Sequence, residues 1–249
     1  MYTLVGFSEN IDQGNVLANI AAVVDDTHRV TGDFVFLSTF NNLVGVAGYL
    51  GILGTRLQLQ SPSLRLVVLP DISPVALATS PADHDAVHLF GGSPIPLATN
   101  EGLEALALAD PVAPEQQSIV AFISDGVIAP VSGQIFTLRA TAAINGAVGS
   151  WASGALTFDQ TLPVGRYQIV GTRVEGAGVV AFRYIGIGAI NRPGGIALPD
   201  AVSREHPAFR RGGWGVWMEF DSTTPPSLEI LSGAASAAQV VYIDIVKVG

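Results

Sequence analysis

Apolar and polar positions alternate in short runs through most of this chain. Val216, Met218 and Phe220 fall on one side of a predicted strand, with Trp217 and Glu219 on the other. Val241, Ile243 and Ile245 oppose Tyr242 and Asp244 in the same way. Runs of this kind, bounded by Gly, Pro, Asn and Ser and spaced about 8–15 residues apart, predict strands. In the first half they cover 3–7, 34–39, 56–60, 64–69 and 118–124. In the second they cover 135–143, 155–158, 167–174, 179–185, 215–220, 227–231 and 239–246. A helical period shows at 15–24, where Val16, Leu17, Ile20, Val23 and Val24 share a face, and briefly at 101–109. The spacing fits a sandwich or barrel better than alternating β and α units. Leu66-Val67-Val68-Leu69 is apolar on both sides, so its outer face needs another layer or another subunit.

The two halves echo each other. Arg56-Leu-Gln-Leu-Gln, Ser61-Pro-Ser-Leu-Arg-Leu66 and Ser118-Ile-Val-Ala-Phe-Ile-Ser-Asp-Gly126 run in order in the first. Val216-Trp-Met-Glu-Phe220, Pro226-Ser-Leu-Glu-Ile230 and Gln239-Val-Val-Tyr-Ile-Asp-Ile245 follow in the second. Two tandem domains of one topology leave such a trace, as does chance similarity between short β segments. The division reads as 1–128 and 129–249, with Ala129-Pro130-Val131-Ser132-Gly133 as linker. Within the first half, 73–116 reads as a long surface excursion rich in proline and acids.

Composition sharpens this picture. Charged residues are 13% of 249, apolar ones 49%, and mean hydropathy is +0.44. Disorder, which needs low hydrophobicity and high charge, is excluded. So few charges cover the surface thinly, which favours burial of part of it against copies or a partner. No cysteine is present, so disulfides and thiolate metal sites are excluded. The amino terminus has neither the basic region nor the apolar core of a secretory signal. Between Asp33 and Arg56 lie 22 uncharged residues, long enough to span a bilayer. Their Ser, Thr and Asn residues, with glycines at 45, 48, 51 and 54, fit a pair of strands better. Net charge is −9 and uneven: residues 1–125 carry −10 and residues 126–249 carry +1. A nucleic-acid binder normally shows a clustered basic excess, absent here.

Few constellations suggest chemistry. Asp83-His84-Asp85 with His88 has metal-ligating types, and equally reads as a solvated acidic turn. Asp25-Asp26-Thr27-His28 reads as a turn. Neither a Gly-x-Ser-x-Gly elbow nor a P-loop occurs, and Lys247 is the single lysine. The reading is therefore of a non-enzyme with no cofactor, no metal site and no catalytic residue. The segment 204–217 stands apart, with three arginines, a histidine and three aromatics. Arg and Trp are common interface anchors. Arg204, Phe209, Arg210, Arg211, Trp214 and Trp217, with Arg192 on a preceding turn, are candidate interface residues. An ordinary loop into a core strand, or a nucleic-acid, lipid-headgroup or glycan contact, would use the same residue types.

The strand echo, the 73–116 excursion, and Leu162-Pro-Val-Gly-Arg-Tyr-Gln-Ile-Val-Gly171 followed by Val179-Val-Ala-Phe-Arg-Tyr184 carry one resemblance. The chain resembles the double jelly-roll major capsid proteins of tailless icosahedral viruses, many of which contain a membrane. The resemblance is of architecture over the whole chain. It implies an all-β fold of two tandem jelly-roll-like β-sandwiches with few short helices. It further implies a structural virion protein assembled in the host cytoplasm, self-associating as trimers within an icosahedral shell. Partners would be copies of itself, other virion proteins, and internal membrane lipid or genome on the inner face. The alternative is an extracellular or phage-fibre β-sandwich module binding a glycan or receptor.

Overall fold

A computed structural model describes residues 1–11, 16–50, 56–66, 75–76, 87–108 and 115–249. The first half holds β1 (Tyr2–Ile11), β2 (Leu17–Ile20), β3 (Arg29–Thr31), β4 (Phe34–Phe36), β5 (Asn42–Leu50) and β6 (Arg56–Gln60). It continues with β7 (Val75–Ala76), β8 (Val87–Leu89), β9 (Ile95–Pro96), β10 (Gly102–Leu108) and β11 (Glu115–Ser124). The second holds β12 (Phe136–Ala142), β13 (Trp151–Ala155), β14 (Thr157–Phe158), β15 (Arg166–Glu175) and β16 (Val179–Ile185). It closes with β17 (Gly194–Ile196), β18 (Met218–Asp221), β19 (Ser227–Ser232) and β20 (Gln239–Lys247). The helical elements among the described residues are two 3₁₀ turns, Ser63–Leu66 and Pro207–Phe209.

Each half pairs its first strand with its last. β1 pairs β11 and β12 pairs β20, all antiparallel. β5 extends the first of these sheets, and β15 then β18 extend the second. Inside that frame the next strand pairs the penultimate one, β2 with β10 and β13 with β19. Two sheets nested in this manner are jelly-roll pairing. The chain is thus all-β, with two tandem jelly-roll-like sandwiches. Residues 34–36 and 42–50, inside the long uncharged run, are strands β4 and β5, in line with the strand reading of that run.

Several expectations are corrected. The helix expected at 101–109 is β10, an interior strand with β2 and β6 on its flanks. Leu103, Ala105 and Ala107 point inward while Glu104, Leu106 and Leu108 point out. Leu and Ala favour helices locally, but alternation satisfied on both edges by neighbouring strands outweighs that propensity. The helix expected at 15–24 is replaced by β2, which pairs Leu17–Ile20 with β10. The strand expected at 64–69 begins as a 3₁₀ turn; 67–69 lie outside the described residues. Residues 73–116 are not all excursion, since β8 and β9 add to β5 and β10 is core. The repeat is present in topology, but the echo aligns its parts wrongly. Only its closing strands, β11 and β20, hold equivalent places; β6 pairs β10, whereas Met218–Asp221 pairs β15.

The two sandwiches lie face to face. One face of β1, β11 and β5, with Val5, Phe7, Leu43, Val46, Ile119 and Ile123, packs into the first core. Its other face, with Tyr2, Leu4, Val44, Ala47, Val120 and Phe122, joins the apolar cluster of the second half. The extra layer that doubly apolar strands require is therefore the chain's own second sandwich. Gly6 marks the approach: a Cβ there would lie 3.1 Å from Leu231 and 3.4 Å from Trp151.

Candidate functional site

The seam between the halves is where the charged and aromatic residues collect. Arg183 lies on β16 in the run Val-Val-Ala-Phe-Arg-Tyr, and strand alternation turns it away from Phe182 and Tyr184 toward the first half. It is 1% exposed. Its Nε donates to Glu229 at 2.5 Å, its Nη1 donates to the Leu4 carbonyl at 3.0 Å, and it pairs with Asp25. The guanidinium sits 4.0 Å over the Trp151 ring. Asp25 belongs to the turn read from the sequence, and accepts from the Thr27 amide and hydroxyl. Burial opposes its charge, but the His28 imidazole, the Arg183 guanidinium and the Thr27 hydroxyl outweigh it. They hold the carboxyl well below the usual range.

Arg192 ties the same seam through its backbone. Its amide donates to Thr3 Oγ1 at 3.1 Å and its carbonyl accepts from Leu4 at 3.0 Å. Its Nη2 donates to Asp26 at 2.9 Å and its Nη1 to the Ala189 carbonyl at 3.0 Å. Asn191, Arg192 and the β17 glycines are all buried. Gly194 is required there, because a Cβ would fall 1.9 Å from the Phe182 carbonyl.

An aromatic cluster closes one end of the seam. Tyr2 and Phe122 come from the first half; Phe182, Phe209, Trp214 and Trp217 come from the second. Phe209 stacks on Phe122 at 5.6 Å, and Trp217 stacks on Phe182 at 5.9 Å. Trp214 and Trp217 meet Tyr2 edge-on at 6.3 and 6.0 Å. The Tyr2 hydroxyl donates to the Gly194 carbonyl at 2.7 Å, and burial pushes its pKa up. Beside this cluster lies an open cavity of about 450 Å³ lined by Met1, Val127, Gln168, Trp214, Val216 and Glu219.

Arg210 is held inside the second half. It grips Asp244 with two hydrogen bonds, 2.7 and 3.0 Å, and Glu205 with Nη1 at 2.9 Å. Asp244 is fully buried and also accepts from Thr137 and from the Arg211 amide. Burial raises its pKa, but Arg210, Thr137 and the Arg211 amide outweigh burial and lower it overall.

The seven candidate interface residues therefore divide. Phe209, Trp214 and Trp217 are 2%, 5% and 1% exposed, and their rings contact this same chain. Arg192 and Arg210 spend their guanidinium groups on internal partners. Arg204 and Arg211 alone among the seven are exposed with side chains lacking a partner among the described residues. Alternation through β18 puts Trp217 on the side of exposed Glu219, opposite Met218 and Phe220, so its burial at the seam was not legible from that pattern. Arg183, Asp25 and Asp244 were missed as site residues. For Arg183 and Asp244 the available signal was a charged residue inside an otherwise apolar strand run; Asp25, in a turn, carried no such signal.

Of the Asp83-His84-Asp85 and His88 group, only His88 is among the described residues. Asp83, His84 and Asp85 lie outside the described residues. His88 sits on a strand, opposite Val46, with its Nε2 buried and without a partner among the described residues. His206 caps the 3₁₀ turn at Pro207–Phe209. Among the described residues no group of three His, Asp or Glu side chains is placed to hold a metal ion.

No known protein family matches this chain, and no curated protein does. Among solved structures, it is similar to the major capsid protein P2 from bacteriophage PM2. That alignment covers all of this chain and 98% of the other, at 11% identity and a TM-score of 0.28.

Proposed function

We propose that this chain is a structural virion protein, a capsid subunit that assembles with copies of itself into an icosahedral shell. The observation that carries this reading is the repeated jelly-roll pairing locked across a buried seam. A shell subunit must hold a fixed angle between its contact surfaces while its neighbours pull on it. Two sandwiches on a flexible linker would not do that. Here Arg183, Arg192 and the aromatic cluster join the halves through groups that are costly to separate. The linker is itself tied down: Ile128 donates to the Gly91 carbonyl and Val131 to the Gly212 carbonyl, both at 2.8 Å. Two sandwiches of one topology also give each chain two related sets of edges and loops, which suits the quasi-equivalent contacts of a closed shell.

The proposed assembly is a trimer within the shell, formed in the host cytoplasm, with lipid or genome on its inner face. Interface contacts among the seven candidates fall to Arg204 and Arg211, the two with exposed side chains. The alternative glycan-binding reading has weaker anchors, since Trp214 and Trp217 are 5% and 1% exposed and pack on this chain's own rings, although both line the open cavity. The test is the mass of the purified chain by light scattering, with negative-stain images of the same fraction. Megadalton particles, or trimers that convert to them, support the reading. A monomer at every concentration and salt overturns it.

A further inference from the structure

We propose that Arg204 and Arg211 make a head-to-tail contact, docking on Asp33 and Glu104 of a second copy's first sandwich. This inference rests on the shell reading and names the contact that such a shell would use.

The loop comes first. Arg211 has φ +50°, in the left-handed region that glycine adopts freely and arginine rarely does. Glycines stand immediately after it, at 212 and 213. The chain nonetheless carries a long cation at the strained position and pins it there through the hydrogen bond that its backbone amide donates to Asp244. Strain held in place by its surroundings is a feature of functional positions. Arg204 adds a second exposed cation seven residues earlier, and Val202, 88% exposed, adds an apolar contact beside it. Every other arginine of the second half has an acidic partner.

The complement lies at the far side of the first sandwich. Asp33 is in the β3–β4 turn after Gly32, and Glu104 is on the outward face of β10. The amide of Asn19 donates to both carboxylates, at 3.5 and 3.2 Å, which places the two acids beside each other. Neither has a cation partner among the described residues. Phe34, 38% exposed, stands next to Asp33 and supplies an apolar patch for Val202. Charge at the scale of the halves agrees, −10 against +1. The arginine loop and the acidic sheet are different surfaces, so the contact is heterologous: each copy offers its loop to one neighbour and its sheet to another. Such contacts close into rings when the rotation permits.

The experiment uses charge exchange in the full-length chain. R204E/R211E and D33R/E104R are each compared with wild type by light scattering at low and high salt. A fourfold variant carries all four changes, and circular dichroism checks folding throughout. R204A/R211G and D33N/E104Q serve as milder versions should a reversal fail to fold, R211G also suiting the backbone at that position. The expected result is an assembled fraction lowered about tenfold or more by either reversal, and recovered in the fourfold variant. Salt weakens wild-type assembly in the same direction. Normal assembly by folded reversed variants overturns this contact and leaves the shell reading standing. A wild type that stops at small oligomers, lost on reversal and recovered on exchange, keeps the contact and overturns the shell. A wild-type monomer overturns both.

Discussion

Arg183 and Asp25 pair across the seam although 158 residues separate them. Asp25 sits in a turn of the first sandwich and Arg183 on a strand of the second, both almost fully buried. Two buried charges are tolerated only when each is matched. Arg183 is matched three times over, by Asp25, Glu229 and the Leu4 carbonyl. The pair therefore fixes how one sandwich registers on the other more than it adds net stability.

Removing the cation exposes that dependence. Arg183→Met leaves Asp25 and Glu229 without their counter-charge and should destabilise the chain by about 3–5 kcal/mol. Asp25→Asn, which keeps a hydrogen-bonding group, should cost less. Guanidinium denaturation of both variants and of the double variant checks this, and a double variant near the single Arg183→Met confirms coupling. Denaturation of Arg183→Met within about 0.5 kcal/mol of wild type, the range of ordinary surface changes, would remove the pair from the account.

The acid limb of stability follows from the same carboxylates. Asp25 and Asp244 are held below the usual range, so both bind protons more weakly folded than unfolded. Their contribution is complete above the unfolded value, about 3.9, and is lost as pH falls through the lower folded values. Unfolding free energy should stay flat from neutral pH to about 5 and fall below about 4. Asp25→Asn and Asp244→Asn should each flatten that fall while lowering the neutral plateau. A limb unchanged in both variants would assign acid sensitivity to other groups.

Tryptophan fluorescence reports the aromatic cluster. Trp214 and Trp217 are buried, and Trp151 is half-covered under Arg183. Emission should be blue-shifted, weakly quenched by acrylamide, and shifted to the red in one step with unfolding. Trp217→Ala should cost about 3–5 kcal/mol, because the ring packs on Phe182, Tyr2 and Phe209 at once. Saturable quenching by oligosaccharides would revive the glycan-binding alternative.

The strand pattern was legible wherever neighbours agree with local preference. The alternation predicts 56–60 and 179–185 at their observed limits, and β15, β19 and β20 within two residues. Legibility failed where pairing overrides propensity, as in β10, whose Leu and Ala residues carry a weak helical period. It failed again at the seam. A run apolar on both sides says that a second layer exists, but not whether another subunit or the same chain supplies it. Nor does the sequence around 204–217 distinguish an exposed arginine-tryptophan surface from one folded inward. That depends on Tyr2 and Phe122, which are remote in sequence and reach the cluster only through the face-to-face packing.

The last prediction concerns the halves themselves. If 1–128 and 129–249 are separate domains in the sense of independent folding, each should be a soluble monomer when expressed alone. The packing argues otherwise. Cutting at 128 would uncover Tyr2, Leu4, Val44, Val120 and Phe122 on one fragment, and Leu231, Trp151 and the buried cation of Arg183 on the other. An exposed apolar sheet face of this kind drives association or aggregation. Each fragment alone should be insoluble or molten, while the two co-expressed should purify as a stoichiometric pair. Introducing Arg183→Met into the second fragment should weaken that pair about tenfold or more, since an unmatched Asp25 must then be buried on association. Two stable, non-interacting monomers would mean that the seam is a contact of convenience, and the rigid-block basis of the shell reading would fall with it.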